Sequence, residues 1–162
     1  MFKSIFGLLI ALLILTACVS TEVREVYGEG QLTGPREIAL ITPRSQAWVV
    51  EIESRLRDEG FQIRRFPSVE RYYQIVSETE ARSFNQASAR AIVVIDGFAP
   101  NTSMTRCLGG GYLFEYIDVE IIDAAQNETV ARYNSAGHSE NCPPISGTIF
   151  GDVVELVNAV FE

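Results

Sequence analysis

The chain has 162 residues and a formal net charge of -8, with 47% hydrophobic and 21% charged residues. This hydrophobic content suits a packed core and excludes a largely disordered chain, and the length fits one compact domain. The acidic balance disfavours nucleic acid and anionic lipid headgroups as partners.

The N-terminus carries an export signal. Lys3 precedes an apolar run from Ile5 to Leu15. At about eleven residues, the run is too short for the roughly 20 that a membrane-spanning helix needs, so residues 1–17 are interpreted as a signal peptide. The next tetrad, Leu15-Thr16-Ala17-Cys18, resembles the lipobox of bacterial lipoproteins. The alternative is an ordinary secretory signal, but Leu15 stands where its cleavage site needs a small residue.

The lipobox resemblance implies that Cys18 is acylated and becomes the first residue of the mature chain. One acyl chain anchors a protein only marginally, at about 0.8 kcal/mol per buried methylene, but lipoprotein processing supplies several chains. Val19 follows in place of Asp. Under the sorting pattern of diderm lipoproteins, this implies an outer-membrane location with the domain facing the periplasm.

Residues 18–35 comprise the lipidated cysteine and a glycine-containing, charged segment that predicts a flexible tether. As a random coil it would span roughly 20 to 25 Å. The alternative for Thr21 to Tyr27 is an edge strand, because apolar and polar residues alternate there. A single periplasmic domain is expected over residues 36–162.

The domain begins with a predicted strand, helix and strand. The short apolar run Glu37 to Thr42 predicts a buried strand, and Phe61 to Phe66 predicts a second strand. Between them, a helix capped at Ser45 should end at Gly60 in a left-handed conformation. Its apolar positions recur at helical spacing: Trp48, Val49, Ile52 and Leu56.

The remaining elements lie between Ser68 and the C-terminus. Helices are predicted from Ser68 and from Thr79 to Ala89, and the β-branched run Ala91 to Ile95 predicts a central strand. Tyr112 to Ile122 and Thr129 to Gly137 predict a β-hairpin. A terminal helix should start at Ser146 or Thr148 and cover the sheet.

The expected fold is therefore α/β of the α+β type. It should hold a small mixed sheet of about four to five strands, ending in the long antiparallel hairpin and packed by two to four helices. In the proposed hairpin register Ile122 faces Glu128, which sets Asp118 opposite Arg132.

Cys107 and Cys142 lie just outside the two ends of the hairpin, nearly opposite each other in this register. The periplasm is oxidising and Cys18 is used for lipid, so a disulfide between the remaining two is predicted. Two free thiols and a redox pair are the alternatives, although the chain has no Cys-x-x-Cys motif.

Three segments together resemble a known family: GFQIRRFPSVE at 60–70, ASARAIVVIDG at 87–97 and YIDVEIIDAAQNETVARYNSAG at 116–137. Their order is similar to envelope lipoproteins related to the TolB amino-terminal domain, an architecture shared by CsgG and LpoB. The resemblance covers about residues 37 to 137 as an order of elements, with Asn127 in place of the usual turn glycine. It carries over no catalytic or ligand residues, and an uncharacterised lipoprotein family of the same layout fits equally well.

No catalytic site, metal or cofactor is predicted. His138 is the one histidine, and its neighbour Cys142 is no nucleophile if it is disulfide-bonded. Asp118, Glu120 and Asp123 are interpreted as a solvated strand face with Arg132 as a partner. Calcium binding by these three carboxylates is the weaker alternative.

Tyr112, Phe114 and Tyr116 should lie opposite the main apolar stripe of their strand, which makes them the candidate binding surface. Coverage by helices is the alternative. The preferred function is a non-catalytic outer-membrane lipoprotein that binds an envelope protein or helps an assembly. The alternative is a carrier of an amphiphile of the lipopolysaccharide type, similar to the lipoprotein LptE. The sequence does not specify the oligomeric state.

Overall fold

The computed structural model describes residues 22–27, 32–43, 46–65 and 89–161. Within these residues the chain forms one mixed sheet with two helices. In chain order the elements are β1 (Val23–Val26), β2 (Glu37–Ile41), α1 (Ala47–Asp58), β3 (Gln62–Arg65), β4 (Ala91–Phe98), β5 (Leu113–Asp123), β6 (Glu128–His138) and α2 (Ile149–Val160). The strand order is β1-β6-β5-β4-β2-β3, so the α+β prediction is confirmed, with six strands instead of four to five.

The extra strand is β1. It pairs antiparallel with β6, with Val23 opposite Asn134 and Val26 opposite Ala131. Leu32 is also part of the fold, because it is buried and bridges Phe161. The prediction of a tether over residues 18–35 is therefore corrected for these two segments, and the edge-strand alternative holds for β1.

The first half of the domain is a parallel unit in which β2 pairs with both β3 and β4. Helix α1 connects β2 to β3 and buries the predicted apolar stripe against the sheet. Gly60 follows the helix with a φ of 87°, the left-handed conformation expected there, and Phe61 closes the turn as a buried side chain. The helices predicted from Ser68 and from Thr79 lie outside the described residues.

The second half is antiparallel, and β4 lies inside the sheet as predicted. The hairpin of β5 and β6 exists, but its predicted register is wrong. Glu120 faces Arg132, and Asp118 faces Asn134. Glu128 pairs with Asp123, one residue later in β5 than predicted. An irregularity between Ile121 and Ile122 shifts the pairing by one further residue.

One face of the sheet carries the main core, formed with α1 and α2. Helix α2 contributes its whole apolar face, namely Ile149, Phe150, Val153, Val154, Leu156, Val157 and Val160. On the opposite face a smaller cluster of buried residues comprises Ala39, Ile41, Ala89, Ile92, Ile122 and Ala124. The rest of that opposite face, called the outer face below, is the part carrying Phe98, Asp96, Tyr116 and Asp118.

A partly buried ion pair holds the hairpin turn to the start of β4. Arg90 donates to both carboxylate oxygens of Asp123, at 2.6 and 3.0 Å, and Asp123 also accepts the backbone amides of Ala125 and Gln126. Burial raises the pKa of Asp123, but these hydrogen bonds outweigh it, so the pKa lies below its usual value. The ionised carboxylate is therefore part of the folded state.

Replacing Asp123 with asparagine is expected to lower the free energy of unfolding at pH 7 by about 2 kcal/mol, since Arg90 loses this carboxylate and the two turn amides lose a charged acceptor. A depressed carboxylate pKa stabilises the folded state above the unfolded value, near 3.8, and this contribution disappears as the pH falls through the folded pKa. The gap between native protein and D123N should therefore begin to narrow below about pH 4 and continue to narrow as the pH falls toward the folded pKa. Urea unfolding between pH 3 and 7 measures it, with D58N at the exposed end of α1 as a charge-matched control. An equal difference in the free energy of unfolding at pH 3 and at pH 7 would contradict this account.

Candidate functional site

The structure separates the three predicted binding residues. Tyr112 and Phe114 are buried, at 6% and 1% exposed, and only Tyr116 is exposed, at 40%. The prediction of one aromatic surface is therefore corrected, and the alternative of coverage by helices holds for two of its three members.

The cause is a β-bulge in β5 between Phe114 and Ile117. An extra residue in a strand reverses the alternation of its side chains, so Phe114 points to the same face as Ile117. There the Phe114 ring meets Trp48 of α1 edge-on at 5.3 Å and Phe150 of α2 at 5.9 Å, between ring centroids. Strict alternation over the whole run therefore predicts the wrong face for Phe114.

Tyr116 lies on the outer face, directly opposite Phe98 of β4. Asp96 and Asp118 form the next cross-strand pair. The charge of Asp96 and a hydrogen bond to it raise the pKa of Tyr116, and Asn134 donates its side-chain amide to Asp118. An open groove of about 320 Å³ continues over this acidic face toward Val23 and Glu25.

The disulfide between Cys107 and Cys142 is confirmed, with 4.8 Å between the two Cα atoms. It joins loop 99–112, between β4 and β5, to loop 139–148, between β6 and α2. The backbones pack closely around it, since a Cβ on Gly111 would lie 2.2 Å from the Glu140 carbonyl oxygen. The two loops thus form one connected unit, called the loop end below.

Glu140 fixes the loop end to both helices. Its carboxylate accepts the backbone amides of Phe150 and Gly151 at the start of α2, at 3.2 and 2.8 Å. Arg55 of α1 donates to the same carboxylate at 2.8 Å. A carboxylate is favourable at a helix N-terminus. Sequence reasoning missed this role, because a helix cap supplied from a loop ten residues away leaves no local pattern.

Large apolar side chains are exposed around this same end of the sheet. Met104 and Leu108 of loop 99–112 are almost fully exposed, at 95% and 99%, and Ile145 of loop 139–148 is 67% exposed. Next to the loops, the exposed apolar residues at the strand ends are Phe98, Leu113 and Tyr116. The sequence alone did not point to this set, because its members are scattered over four segments.

The other exposed apolar residues near a sheet boundary belong to β1 and its flank. Val23, Val26 and Tyr27 are each about half exposed. Within the described residues β1 pairs with β6 alone, so its second backbone edge faces outward. Arg24 is held by Glu155 of α2 at 2.9 Å.

The cysteine and the carboxylates that are candidates for chemistry take part in structural contacts. His138 ends β6 opposite Leu113, and the neighbouring thiol of Cys142 is in the disulfide. Asp123 binds Arg90, and Glu120 accepts hydrogen bonds from Thr129 and Arg132. In the part of the chain that the structure describes, no three histidine, cysteine or carboxylate side chains are grouped to hold a metal ion.

The comparisons with known proteins support a similarity of fold only. No family model matches the sequence, and no curated protein matches it. Among solved structures, a PelC dodecamer from Paraburkholderia phytofirmans matches with a TM-score of 0.50 and 12% identity, over 88% of this chain and 98% of that one. The chain is similar in fold to PelC.

Two further structures have lower TM-scores. Lipoprotein GNA1162 from Neisseria meningitidis matches with a TM-score of 0.38 and 11% identity, over 77% of this chain and 96% of that one. TolB from Acinetobacter baumannii matches with a TM-score of 0.46 and 9% identity, over 86% of this chain and 31% of that one. No residue role transfers at these identities.

Membrane association was predicted through the N-terminal lipid. The signal peptide at residues 1–17 and Cys18 lie outside the described residues. Across ranges 22–27, 32–43, 46–65 and 89–161, no helix has the length and apolar character needed to cross a membrane.

Proposed function

We propose that this chain is a non-catalytic lipoprotein of the cell envelope, anchored in the outer membrane through Cys18, whose periplasmic domain binds protein. The lipobox tetrad supports the anchor. The disulfide between Cys107 and Cys142 suits an oxidising compartment such as the periplasm.

The observation that carries the binding role is the open edge at β1. All four residues of β1 are exposed, and its outer backbone edge is unpaired within the described residues. Such an edge is a template for adding a strand from another chain. Val23 and Val26 supply apolar contact beside it, which is uncommon for a strand protected against association.

A second copy of the chain is the first partner to test. The PelC structure, which has a similar fold, is a dodecamer. The strand β1 is four residues long, so the added strand would be short, and contacts from neighbouring surfaces would have to contribute to affinity.

The amphiphile-carrier alternative has no supporting feature among the described grooves. The outer-face groove carries four carboxylates, those of Glu25, Asp96, Asp118 and Glu120, against one cation, Arg132. The groove between α1 and α2 is lined by Arg55, Glu59 and Glu155 among others. This acidic balance would repel the anionic headgroup of a lipopolysaccharide-type amphiphile, so protein binding remains the proposal.

A photo-crosslinking amino acid placed at Val26 tests the proposal in growing cells. The sequence contains no lysine after Lys3, which lies in the predicted signal peptide, so lysine-directed crosslinkers are unsuitable. We expect a protein adduct from Val26 and none from Val50, an exposed apolar residue on α1. Mass spectrometry of the adduct separates a second copy from another envelope protein.

The matched variant is V23D/V26D, which places charge on the open edge of β1. For this comparison the photo-crosslinking amino acid stands at the neighbouring Tyr27, and the variant should remove the adduct formed there. The control variant V50D should keep the adduct at Tyr27. Adducts to lipid alone, or equal adducts from Val26 and Val50, would reject protein binding at β1.

A further inference from the structure

We propose that the loop end is a second membrane contact: the tips of loops 99–112 and 139–148 insert their exposed apolar side chains into the bilayer that holds the Cys18 lipid. This inference rests on the lipid anchor of the proposed function. It assigns the domain a fixed orientation, with the disulfide toward the membrane.

The first argument is exposure. Met104, Leu108 and Ile145 project from two loops that one disulfide joins. Isolated apolar side chains on a surface are ordinary, but a group concentrated at one end of a domain indicates a contact with protein or membrane. The exposed residues at the adjoining strand ends, Phe98 and Leu113, extend the same group.

The second argument is charge. Although the chain is strongly acidic, Arg106 and Glu140 are the only charged residues in loops 99–112 and 139–148. Glu140 is turned toward the start of α2 and Arg55. Arg106 lies over the ring of Tyr112, 4.3 Å from its centroid, and donates to the Gly110 carbonyl oxygen. The tip therefore offers a bilayer apolar side chains without the acidic surface found on the rest of the domain.

The third argument is the direction of β1. Because Val26 faces Ala131 and Val23 faces Asn134, the chain that precedes Val23 leaves toward the end of β6 at His138. Loop 139–148 follows His138 directly, and loop 99–112 lies at the same end of the sheet. The anchored terminus and the apolar tips thus belong to one end of the domain.

The fourth argument is reach. Only residues 19–21 separate Cys18 from Glu22, the first described residue. Four residue steps span at most about 14 Å even when fully extended. A domain joined this closely to its acylated cysteine cannot stand far from the bilayer, and the end that faces the bilayer is the one carrying the tips. This proximity favours a membrane over a protein as the occupant.

The loop end is also pre-organised for insertion. The disulfide, the close packing of Gly111 against residue 140 and the bonds from Glu140 to α2 hold the tips in place. A contact surface that is already ordered loses little conformational freedom on binding.

The test places a fluorescent reporter at the tip of the lipidated, full mature protein. Leu108→Trp is reconstituted in phosphatidylcholine vesicles whose acyl chains carry bromine, which quenches nearby tryptophan. Gln126→Trp is the control, because Gln126 is exposed in the turn between β5 and β6, at the end of the sheet opposite the loops. The native Trp48 is fully buried, and its signal is subtracted with unsubstituted protein.

We expect at least about twofold quenching of the new tryptophan in L108W, with a blue-shifted emission, and no quenching of the new tryptophan in Q126W. Replacing Met104 and Ile145 with serine in the L108W background should reduce the quenching. Equal quenching in L108W and Q126W overturns the proposal. A blue shift in L108W without quenching by bromine also overturns it, and indicates a contact between copies instead.

Mass spectrometry of the same preparation separates the two proposals. An acylated Cys18 with no quenching at position 108 leaves the anchor intact and rejects the orientation. The absence of the acyl mass rejects the anchor, and the orientation with it.

Discussion

Replacing Phe114 with alanine is expected to lower the free energy of unfolding by about 3 to 5 kcal/mol. The ring is 1% exposed and packs edge-on against Trp48 and Phe150, so it joins β5 to both helices. Its removal loses apolar burial and leaves a cavity that two helices and a sheet cannot easily close. Urea or thermal unfolding monitored by circular dichroism measures the change.

Tyr116→Ala is the matched control, because Tyr116 belongs to the same strand and was assigned to the same surface. At 40% exposed, it should cost less than about 1 kcal/mol. The two residues therefore differ in effect because the bulge separates their faces. Similar losses for both variants would contradict the placement of the bulge.

Much of the fold is predictable from local patterns. The helical spacing of Trp48, Ile52 and Leu56 predicted α1, and the left-handed Gly60 ends it as expected. The apolar run beginning at Ala91 predicted an interior strand, because a strand buried on both faces needs continuous β-branched residues. These features depend on a few neighbouring residues and are therefore legible in one sequence.

The errors arise where one irregular residue shifts the facing or pairing of its neighbours along the strand. Alternation assigns a face to every residue of a strand only if the strand is regular, and the bulge before Ile117 breaks that condition. The register of the hairpin failed for a related reason. Asp123 accepts two turn amides and pairs with Arg90, which is outside the hairpin, so the position of the turn depends on a tertiary contact.

The candidate sites divide in the same way. The pairing of Cys107 with Cys142 was predictable, because compartment and cysteine number leave few alternatives. The loop end was not, since exposure of Leu108 and Ile145 depends on how two distant loops fold together. The sequence indicates β1 only as the alternative to a flexible tether, because a four-residue edge strand gives a weak periodic signal.

Removing the disulfide by replacing Cys107 and Cys142 together with alanine is expected to lower the free energy of unfolding by about 4 kcal/mol. The bond spans a sequence separation of 35 residues, and the chain-entropy model gives this magnitude for a loop of that length. The corresponding fall in midpoint temperature is roughly 10 °C for a domain of this size. Differential scanning calorimetry and urea unfolding of the two forms provide the measurement.

Native protein treated with a reductant should unfold at the same midpoint as the double variant, which shows that loss of the crosslink, and not the alanine side chains, causes the change. The structure adds a local expectation. Because Glu140 still holds loop 139–148 to Arg55 and to α2, the loss should loosen loop 99–112 more than α2. Amide hydrogen exchange should therefore increase most around Leu108, while the amides of α2 beyond its first turn change only by the global loss of stability. An unchanged midpoint in both the variant and the reduced protein would mean that the packing of Gly109 and Gly111 against residues 140–143 alone maintains the loop end.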